Sequence, residues 1–174
     1  DAREDISVDV YPATEGHPRI TEGSIIELHD GSLLYAVSEF IRGTADAASA
    51  HIVARRSTDE GRTWGPQRVL QENIGKQNVM SVTLRRLPSQ GEAKHPIGMF
   101  YLVKNGADDL DVQLRISLDE ARTFGPAILV SDAPGYHVMN NDRVTILSTN
   151  RIVAPVAWSP DIRKLNHFVS FCYL

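Results

Sequence analysis

The chain has 174 residues, 42% of them hydrophobic and 23% charged, a composition typical of a globular protein with one sizeable core. Eighteen basic and 22 acidic residues give a net charge of −4 with no block of like charges, so we expect neither nucleic acid nor an anionic membrane surface as a partner. No apolar run approaches the roughly 18 residues of a membrane span. Cys172, the single cysteine, excludes an internal disulfide framework, and we expect its thiol to be buried.

Short runs rich in Val, Ile, Leu and Tyr follow one another along the chain, separated by turn sequences such as Asp-Gly and Asn-Gly, and this pattern predicts β-strands. An N-terminal run, ISVDVY, comes first, and we expect it to lie apart from the later strands and either to stay unpaired or to pair with a neighbouring molecule. It is followed by SIIEL, SLLYAVS, AHIVARR and QRVLQ, then by MSVTLRRL, PIGMFYLV, VQLRI and AILV, and finally by RVTIL, RIVAPVAW and HFVSFCYL. No helical periodicity of comparable length competes, because Gly125-Pro126 would end a helix there. The sequence therefore predicts an all-β fold.

One polar, turn-like decapeptide occurs twice, as STDEGRTWGP at 57–66 and as SLDEARTFGP at 117–126, sixty residues apart. In such a turn the Asp accepts backbone hydrogen bonds, the Gly supplies a positive φ, and the aromatic residue fills the gap between strands. Ala121 replaces the Gly in the second copy, which costs on the order of 1 kcal/mol if the position requires a positive φ. We expect equivalent turns with Trp64 and Phe124 buried.

Each decapeptide follows three predicted strands and precedes a fourth, and four strands per period is the number in one blade of a β-propeller. We predict one domain over residues 1–174, with blades at about 19–72, 78–131 and 141–174, the third incomplete. Because three blades do not close a ring, their exposed strand edges favour self-association.

The first decapeptide resembles the Asp-box, the Ser-x-Asp-x-Gly-x-Thr-Trp motif of sialidases (neuraminidases) and related BNR-repeat proteins. Those proteins are six-bladed β-propellers, in which the motif marks the turn between the third and fourth strands of a blade, away from the active site. The resemblance implies that this chain covers about the first three blades, and it favours an extracellular or periplasmic location. The corresponding residues are Ser57, Asp59, Gly61, Thr63 and Trp64 in the first copy, and Ser117, Asp119, Thr123 and Phe124 in the second.

A second stretch, PRITEGSIIELHDGSLLYAVSEF at 18–40, is similar to the opening of sialidase domains. The resemblance implies that Arg19 belongs to a cluster of arginines that binds the substrate carboxylate, and that Asp46 is the general acid/base. Arg suits this role because its planar guanidinium holds a carboxylate through two parallel hydrogen bonds. Further residues implied to bind substrate are Glu39, Arg42, Asn78, Met80, Asn141 and Arg143.

The topology of a blade makes its own prediction for two of these residues. Arg19 leads into the first strand, and Asp46 lies in the loop between the second and third strands. In an up-and-down blade these positions share one end, whereas the turn of Asp59 lies at the other. We therefore expect Arg19 and Asp46 to lie together, away from Asp59.

Three functions remain open at this level. The leading one is a sialidase-like glycoside hydrolase acting on terminal acidic sugars of glycans. The family's Tyr nucleophile and its Glu lie in the second half of the propeller, so we expect this chain alone to be inactive. The alternatives are a non-catalytic Asp-box propeller that binds glycan or protein, and a structural fragment that assembles with a second copy of itself. We predict no cofactor and no metal site, because the histidines show no metal-ligand spacing such as His-x-x-x-His.

Overall fold

The computed structural model describes residues 5–89, 95–131, 133–164 and 169–173, and in these ranges it contains strands and no helix. The all-β prediction is therefore confirmed for the described part of the chain. The last predicted run, 167–174, lies partly outside these residues. The strands are β1 (Arg19–Glu27), β2 (Leu33–Phe40), β3 (Ala50–Ser57), β4 (Arg68–Gln71), β5 (Asn78–Arg86), β6 (Ile97–Lys104), β7 (Leu110–Ser117), β8 (Ile128–Leu129), β9 (Tyr136–Val138), β10 (Thr145–Ile146), β11 (Ile152–Ser159) and β12 (Val169–Tyr173).

The strands pair with their neighbours in chain order, as in an up-and-down blade. β1 to β4 form one antiparallel sheet, and β5 to β8 repeat the same order. The remaining strands, β9 to β12, form a third group, in which β11 pairs with β10, β12 and β9. A single parallel pair, Leu110 with Tyr136, joins β7 to β9, so the second and third groups form one continuous sheet. The fold is that of a partial propeller. The blade limits proposed from the sequence stay a prediction.

The first strand of each group contains the same irregularity. β1 has a register shift between Thr21 and Ser24, and β5 has one between Met80 and Thr83. Glu22 and Ser81, inside these shifts, have positive φ values of 57°, and Asp142, between β9 and β10, has 59°. Positive φ is uncommon outside glycine, so its recurrence close to the 60-residue period marks one structural feature repeated three times.

Side chains connect these irregular strands to one another. The hydroxyl of Ser24 accepts a hydrogen bond from the backbone N–H of Leu84 (2.9 Å) and donates one to the carboxylate of Asp142 (2.7 Å). The N–H of Asp142 donates in turn to the Thr83 hydroxyl at 2.7 Å. These hydrogen bonds therefore connect β1, β5 and the segment between β9 and β10.

Two hydrophobic clusters fill the spaces between the sheets. The first joins residues of β1 to β3 to residues of β5 and β6, and the second joins Phe40 and Ala50 of the first sheet to residues of the second and third groups. All eight residues of β6 are buried, consistent with a strand covered on both faces. Tyr101, Phe40 and Phe100 are the largest fully buried side chains of the described residues.

The two decapeptides make the same hydrogen bonds. Asp59 accepts from the N–H and the hydroxyl of Thr63 at 2.8 and 2.6 Å, and Asp119 accepts from Thr123 at 2.8 and 2.7 Å. Ser57 and Ser117 each donate to the Asp of their own turn. The two segments therefore form equivalent turns, as their sequences predict.

The two turns differ in sequence at a positive-φ position and at an aromatic position. Gly61 has φ 87° and Ala121 has φ 59°, so the position does require a positive φ. The methyl group of Ala121 is fully buried against the first cluster, which offsets part of the backbone strain. The prediction that Trp64 and Phe124 are buried was wrong: both are only partly buried. Trp64 packs beside Tyr35, with ring centroids 5.8 Å apart.

The N-terminal run forms no strand among its described residues, and Ile6 is 54% exposed. Its end is anchored to the first sheet, because the Tyr11 hydroxyl donates to the Tyr35 carbonyl at 2.8 Å and its ring lies 5.4 Å from the Arg55 guanidinium. Burial raises the pKa of the Tyr11 hydroxyl. Cys172 is exposed on β12, which corrects the expectation of a buried thiol.

Candidate functional site

Arg19 and Asp46 lie together at one end of the first sheet. Arg19 opens β1, and its Nη1 donates to the Asp46 carboxylate at 2.6 Å and to the Thr44 carbonyl at 2.9 Å. The guanidinium carbon lies 4.2 Å from the centroid of the Phe40 ring, within cation–π distance. The Asp46 side chain is 68% exposed, so its carboxylate is open to solvent and to a ligand. The predicted proximity of Arg19 and Asp46 is confirmed.

Glu22 completes this group, and the sequence analysis did not single it out. Its carboxylate lies 3.6 Å from the Arg19 guanidinium and accepts hydrogen bonds from the Ser38 hydroxyl (3.3 Å) and the Ser81 backbone N–H (3.1 Å). The positive φ of Glu22 turns the side chain at the irregularity in β1. The sequence offers no signal for this contact, because the positive φ recurs at Glu22, Ser81 and Asp142, which are three different residue types. Arg19 thus contacts two carboxylates.

Asn78 supports the loop that carries Asp46. Its side-chain amide donates to the backbone carbonyls of Asp46 and Ala48, both at 2.8 Å. Asn78 is fully buried at the start of β5, in the second sheet. It therefore acts on the loop through the backbone and holds the Asp46 loop against the neighbouring sheet.

The remaining predicted pocket residues occupy several different environments. Asn141 donates to the Gly23 carbonyl at 2.7 Å, next to Glu22, and Arg143 is exposed. Arg42 is exposed, with φ 55°, and its N–H donates to the Gly16 carbonyl at 2.9 Å. Met80 packs in the second hydrophobic cluster with 6% exposure, which places it in the core rather than on a pocket surface.

Glu39 faces away from Arg19. Side chains alternate along a strand, so Phe40 and Glu39 point to opposite faces of β2. Glu39 is almost fully buried and bonds to His51 at 2.6 Å and to Gln67 at 3.0 and 3.1 Å. Glu39 therefore lies on the other face of the sheet from Arg19, and its role in substrate binding stays a prediction. The sequence analysis also missed that His51 and His17 converge on this carboxylate.

The repeated turns lie at the other end of the sheets. Hydrogen bonds from Thr63 and Ser57 lower the pKa of Asp59 to about 2, and bonds from Thr123 and Ser117 do the same for Asp119. Both carboxylates are therefore ionised and fully engaged in their turns. Such an arrangement stabilises structure and leaves no free acid for catalysis.

Among the residues that the structure describes, no helix is long and apolar enough to span a bilayer. No protein-family model matches the chain, and no curated protein matches its sequence.

Several solved structures share the fold. The Hadza microbial sialidase Hz136 aligns with 83% of this chain and 33% of its own, at 15% identity and a TM-score of 0.64. A protein of unknown function from Dyadobacter fermentans aligns over 94% of this chain and 52% of its own, at 13% identity and a TM-score of 0.69. Trypanosoma rangeli sialidase, solved as a covalent intermediate with 2,3-difluorosialic acid, aligns over 88% and 30%, at 12% identity and a TM-score of 0.58. The chain spans about a third to a half of these structures, and its fold is that of sialidase propeller domains.

Proposed function

We propose that this chain carries part of the substrate site of a sialidase-like glycoside hydrolase that acts on terminal acidic sugars. The observation that carries the proposal is the contact between Arg19 and Asp46, at the end of the first sheet opposite the turn of Asp59. A guanidinium beside an exposed carboxylate provides both a binding group for an anionic sugar and an acid for its glycosidic bond. The shared fold with two sialidases supports this assignment.

Arg19 is held ready to bind a carboxylate. The Thr44 carbonyl and the Phe40 ring fix the guanidinium, and the side chain is 24% exposed. A substrate carboxylate placed here would compete with Asp46 for the hydrogen bond of Nη1. Release from Arg19 would then leave the Asp46 carboxylate free to take a proton from solvent and to turn toward the glycosidic oxygen, where a general acid donates that proton to the leaving group.

Asp46 has the access that this role requires. Its loop is tied to β5 through backbone carbonyls, so the carboxylate itself remains free to change partner. In sialidases the nucleophile is a Tyr, and the resemblance places it in later blades. Arg19 and Asp46 therefore contribute binding and proton transfer, while the covalent step requires residues from outside this chain.

The alternative is a propeller that binds acidic glycans without cleaving them. One specific observation favours it: Arg19 already contacts Asp46 and Glu22, two carboxylates that neutralise its charge. If Asp46 stays on Arg19 when a sugar is present, it serves as a structural partner and no acid is available. Whether a carboxylated sugar displaces Asp46 thus separates the two functions.

Calorimetric titration of the purified chain with free sialic acid, and with its methyl ester, tests the binding role. The ester keeps the ring but lacks the charged carboxylate. We expect the acid to bind at least about tenfold more tightly than the ester, since one charge-assisted hydrogen bond contributes about 1.5–3 kcal/mol. Arg19→Lys should remove most of this preference, because an ammonium does not reproduce the two parallel bonds.

Two variants complete the titration. Asp46→Asn should bind sialic acid as tightly as the parent chain or more tightly, because the competing carboxylate is gone. Asp59→Asn, at the opposite end, should leave affinity unchanged. Equal binding of acid and ester by the parent chain, or unchanged binding by Arg19→Lys, would refute the assignment.

A further inference from the structure

A second group of chemically active side chains lies on the other face of the first sheet. His17, Glu39 and His51 direct their ring nitrogens and carboxylate at one point, with the three donor atoms all within 4.8 Å of one another. Nε2 of His51 lies 2.6 Å from Oε2 of Glu39, and Nε2 of His17 lies 3.8 Å from the same oxygen. The two imidazole rings are nearly parallel, with centroids 6.4 Å apart.

The backbone holds each member of this cluster in place. Glu39 on β2 and His51 on β3 are direct partners across the antiparallel ladder, so their side chains stand on the same face. His17 belongs to a short turn in which its N–H and carbonyl bond to the backbone of Thr14, at 3.2 and 3.0 Å. The three side chains thus come from two strands and a fixed turn.

Glu39 is an unusual residue to find at this depth. It is 4% exposed, and burying a carboxylate is unfavourable unless positive charge and hydrogen bonds compensate. Gln67 donates from Nε2 to both carboxylate oxygens, at 3.0 and 3.1 Å, which orients the group toward the histidines. Glu72 lies 3.8 Å from Nδ1 of His51, the ring nitrogen that faces away from the cluster.

A cavity of about 310 Å³ opens beside His17 and Glu39, and its other lining residues are Tyr11, Pro12, Thr14, Ile20, Arg55 and Gln67. The cavity gives a solvent ion a path to the cluster and leaves space for a water molecule as a further ligand. The site of Arg19 and Asp46 is separate, because it lies on the opposite face of the sheet.

We propose that His17, Glu39 and His51 form a binding site for a divalent transition metal, with Zn²⁺ the best match. Two imidazoles and one carboxylate are a known zinc-ligand set, and a fourth position is filled by water in such sites. Zn–N and Zn–O bonds of about 2.0–2.2 Å place tetrahedral donors roughly 3.4 Å apart. The two separations from Glu39, 2.6 and 3.8 Å, lie on either side of this value, and all three donor atoms lie within 4.8 Å of one another, so side-chain rotations are needed to bring them to tetrahedral spacing.

The surroundings supply the outer layer that metal sites require. A carboxylate that binds a metal usually also accepts a hydrogen bond from the protein, and Gln67 donates such a bond to Glu39. A histidine that binds a metal commonly presents its second ring nitrogen to a carboxylate, and Nδ1 of His51 faces Glu72 in this way. The competing description is a set of contacts of Glu39 with His51 and His17 that needs no metal.

The test is calorimetric titration of the chelator-treated chain with zinc chloride, with cobalt chloride in parallel to read the coordination geometry from visible absorption. We expect one Zn²⁺ per chain and a tetrahedral cobalt spectrum. Gln67→Ala should weaken zinc binding by about tenfold or more, the usual effect of removing an outer-layer hydrogen bond. His17→Ala and His51→Gln should weaken it further.

The matched control is His29→Gln, which removes a histidine lying 3.3 Å from a carboxylate of Glu120 at an exposed turn. It should bind zinc as the parent chain does. His17 is partly exposed, so His17→Ala is expected to fold, and thermal unfolding in chelator confirms this for each variant. The proposal is overturned if the parent chain binds no stoichiometric zinc, or if His17→Ala and His51→Gln bind it as tightly as His29→Gln.

Discussion

Asn78, at the start of the second sheet, donates two hydrogen bonds of 2.8 Å to backbone carbonyls of the Asp46 loop, at Asp46 and Ala48. This buried amide is the contact through which β5 determines the position of the proposed acid. The placement of Asp46 therefore depends on packing between two sheets, beyond its own loop sequence.

Asn78→Asp is expected to destabilise the chain. The substitution keeps the size of the side chain but removes both N–H donors and sets a carboxylate against two carbonyl oxygens. Leaving buried polar groups unpaired costs about 1–3 kcal/mol, and more when a charge is buried. Urea unfolding measures the loss, and Asn140→Asp, at an exposed position, is the control. A variant as stable as the control would show that Asn78 does not support the loop.

Met80 should behave as a core residue. Because it is 6% exposed within the second cluster, Met80→Ala is expected to lower the free energy of unfolding by about 2–5 kcal/mol, whereas Met80→Leu should cost less than about 1.5 kcal/mol. Denaturant unfolding distinguishes these values. If Met80→Ala changes stability little and weakens sugar binding, Met80 lines the pocket and the core prediction is wrong.

One positive-φ position of the repeated turn is Gly61 in the first copy and Ala121 in the second, so each residue can be exchanged for the other. Gly61 has φ 87°, and an added Cβ there would meet Leu33 and Trp64 at an ordinary 3.7 Å, so Gly61→Ala should cost about 1 kcal/mol through backbone strain alone. Ala121→Gly should be nearly neutral, because relief of strain offsets loss of a buried methyl group worth about 0.8 kcal/mol. Gly106→Ala, where the added atom meets nothing within 4 Å, is the control. Equal effects at 61 and 121 would contradict this explanation.

Stability should fall in acid as the two turn carboxylates become protonated. The pKa values of Asp59 and Asp119 are about 2 in the folded chain, below the roughly 3.9 of an unfolded Asp. A lowered pKa gives stability that is complete above about pH 4 and is lost as the pH falls through about 2. The melting temperature of the parent chain should therefore drop across this window.

The double variant Asp59→Asn, Asp119→Asn should melt lower at neutral pH and depend less on pH between about 4 and 2. Asp9→Asn removes an exposed carboxylate and controls for net charge. If the double variant keeps the acid sensitivity of the parent chain, the pH dependence arises elsewhere.

The sequence predicts the features that depend on local pattern. Alternating apolar runs and turn signals located the strands, and the two decapeptides predicted equivalent turns. The order of strands in a blade was sufficient to bring Arg19 to Asp46. The strands and turns depend only on residues close together in the sequence, and the proximity of Arg19 and Asp46 depends only on the up-and-down order of the strands.

The features that the sequence did not predict depend on the direction in which a side chain points and on contacts between residues distant in the chain. Glu39 was assigned to the pocket, but strand alternation turns it to the opposite face, toward His51 and Gln67. Trp64 is only partly buried, and its ring packs beside Tyr35 of β2, a contact between residues distant in the chain. Glu22 reaches Arg19 because of a positive φ, which the residue type does not suggest.

The most direct test of the central claim is a crystal structure of this chain with bound sialic acid. The proposal predicts the sugar carboxylate within hydrogen-bond distance of the Arg19 guanidinium, with the Asp46 carboxylate moved off Nη1 and turned toward the anomeric oxygen. Sugar bound away from Arg19, or bound with Asp46 still paired to it, would contradict the hydrolase site proposed here.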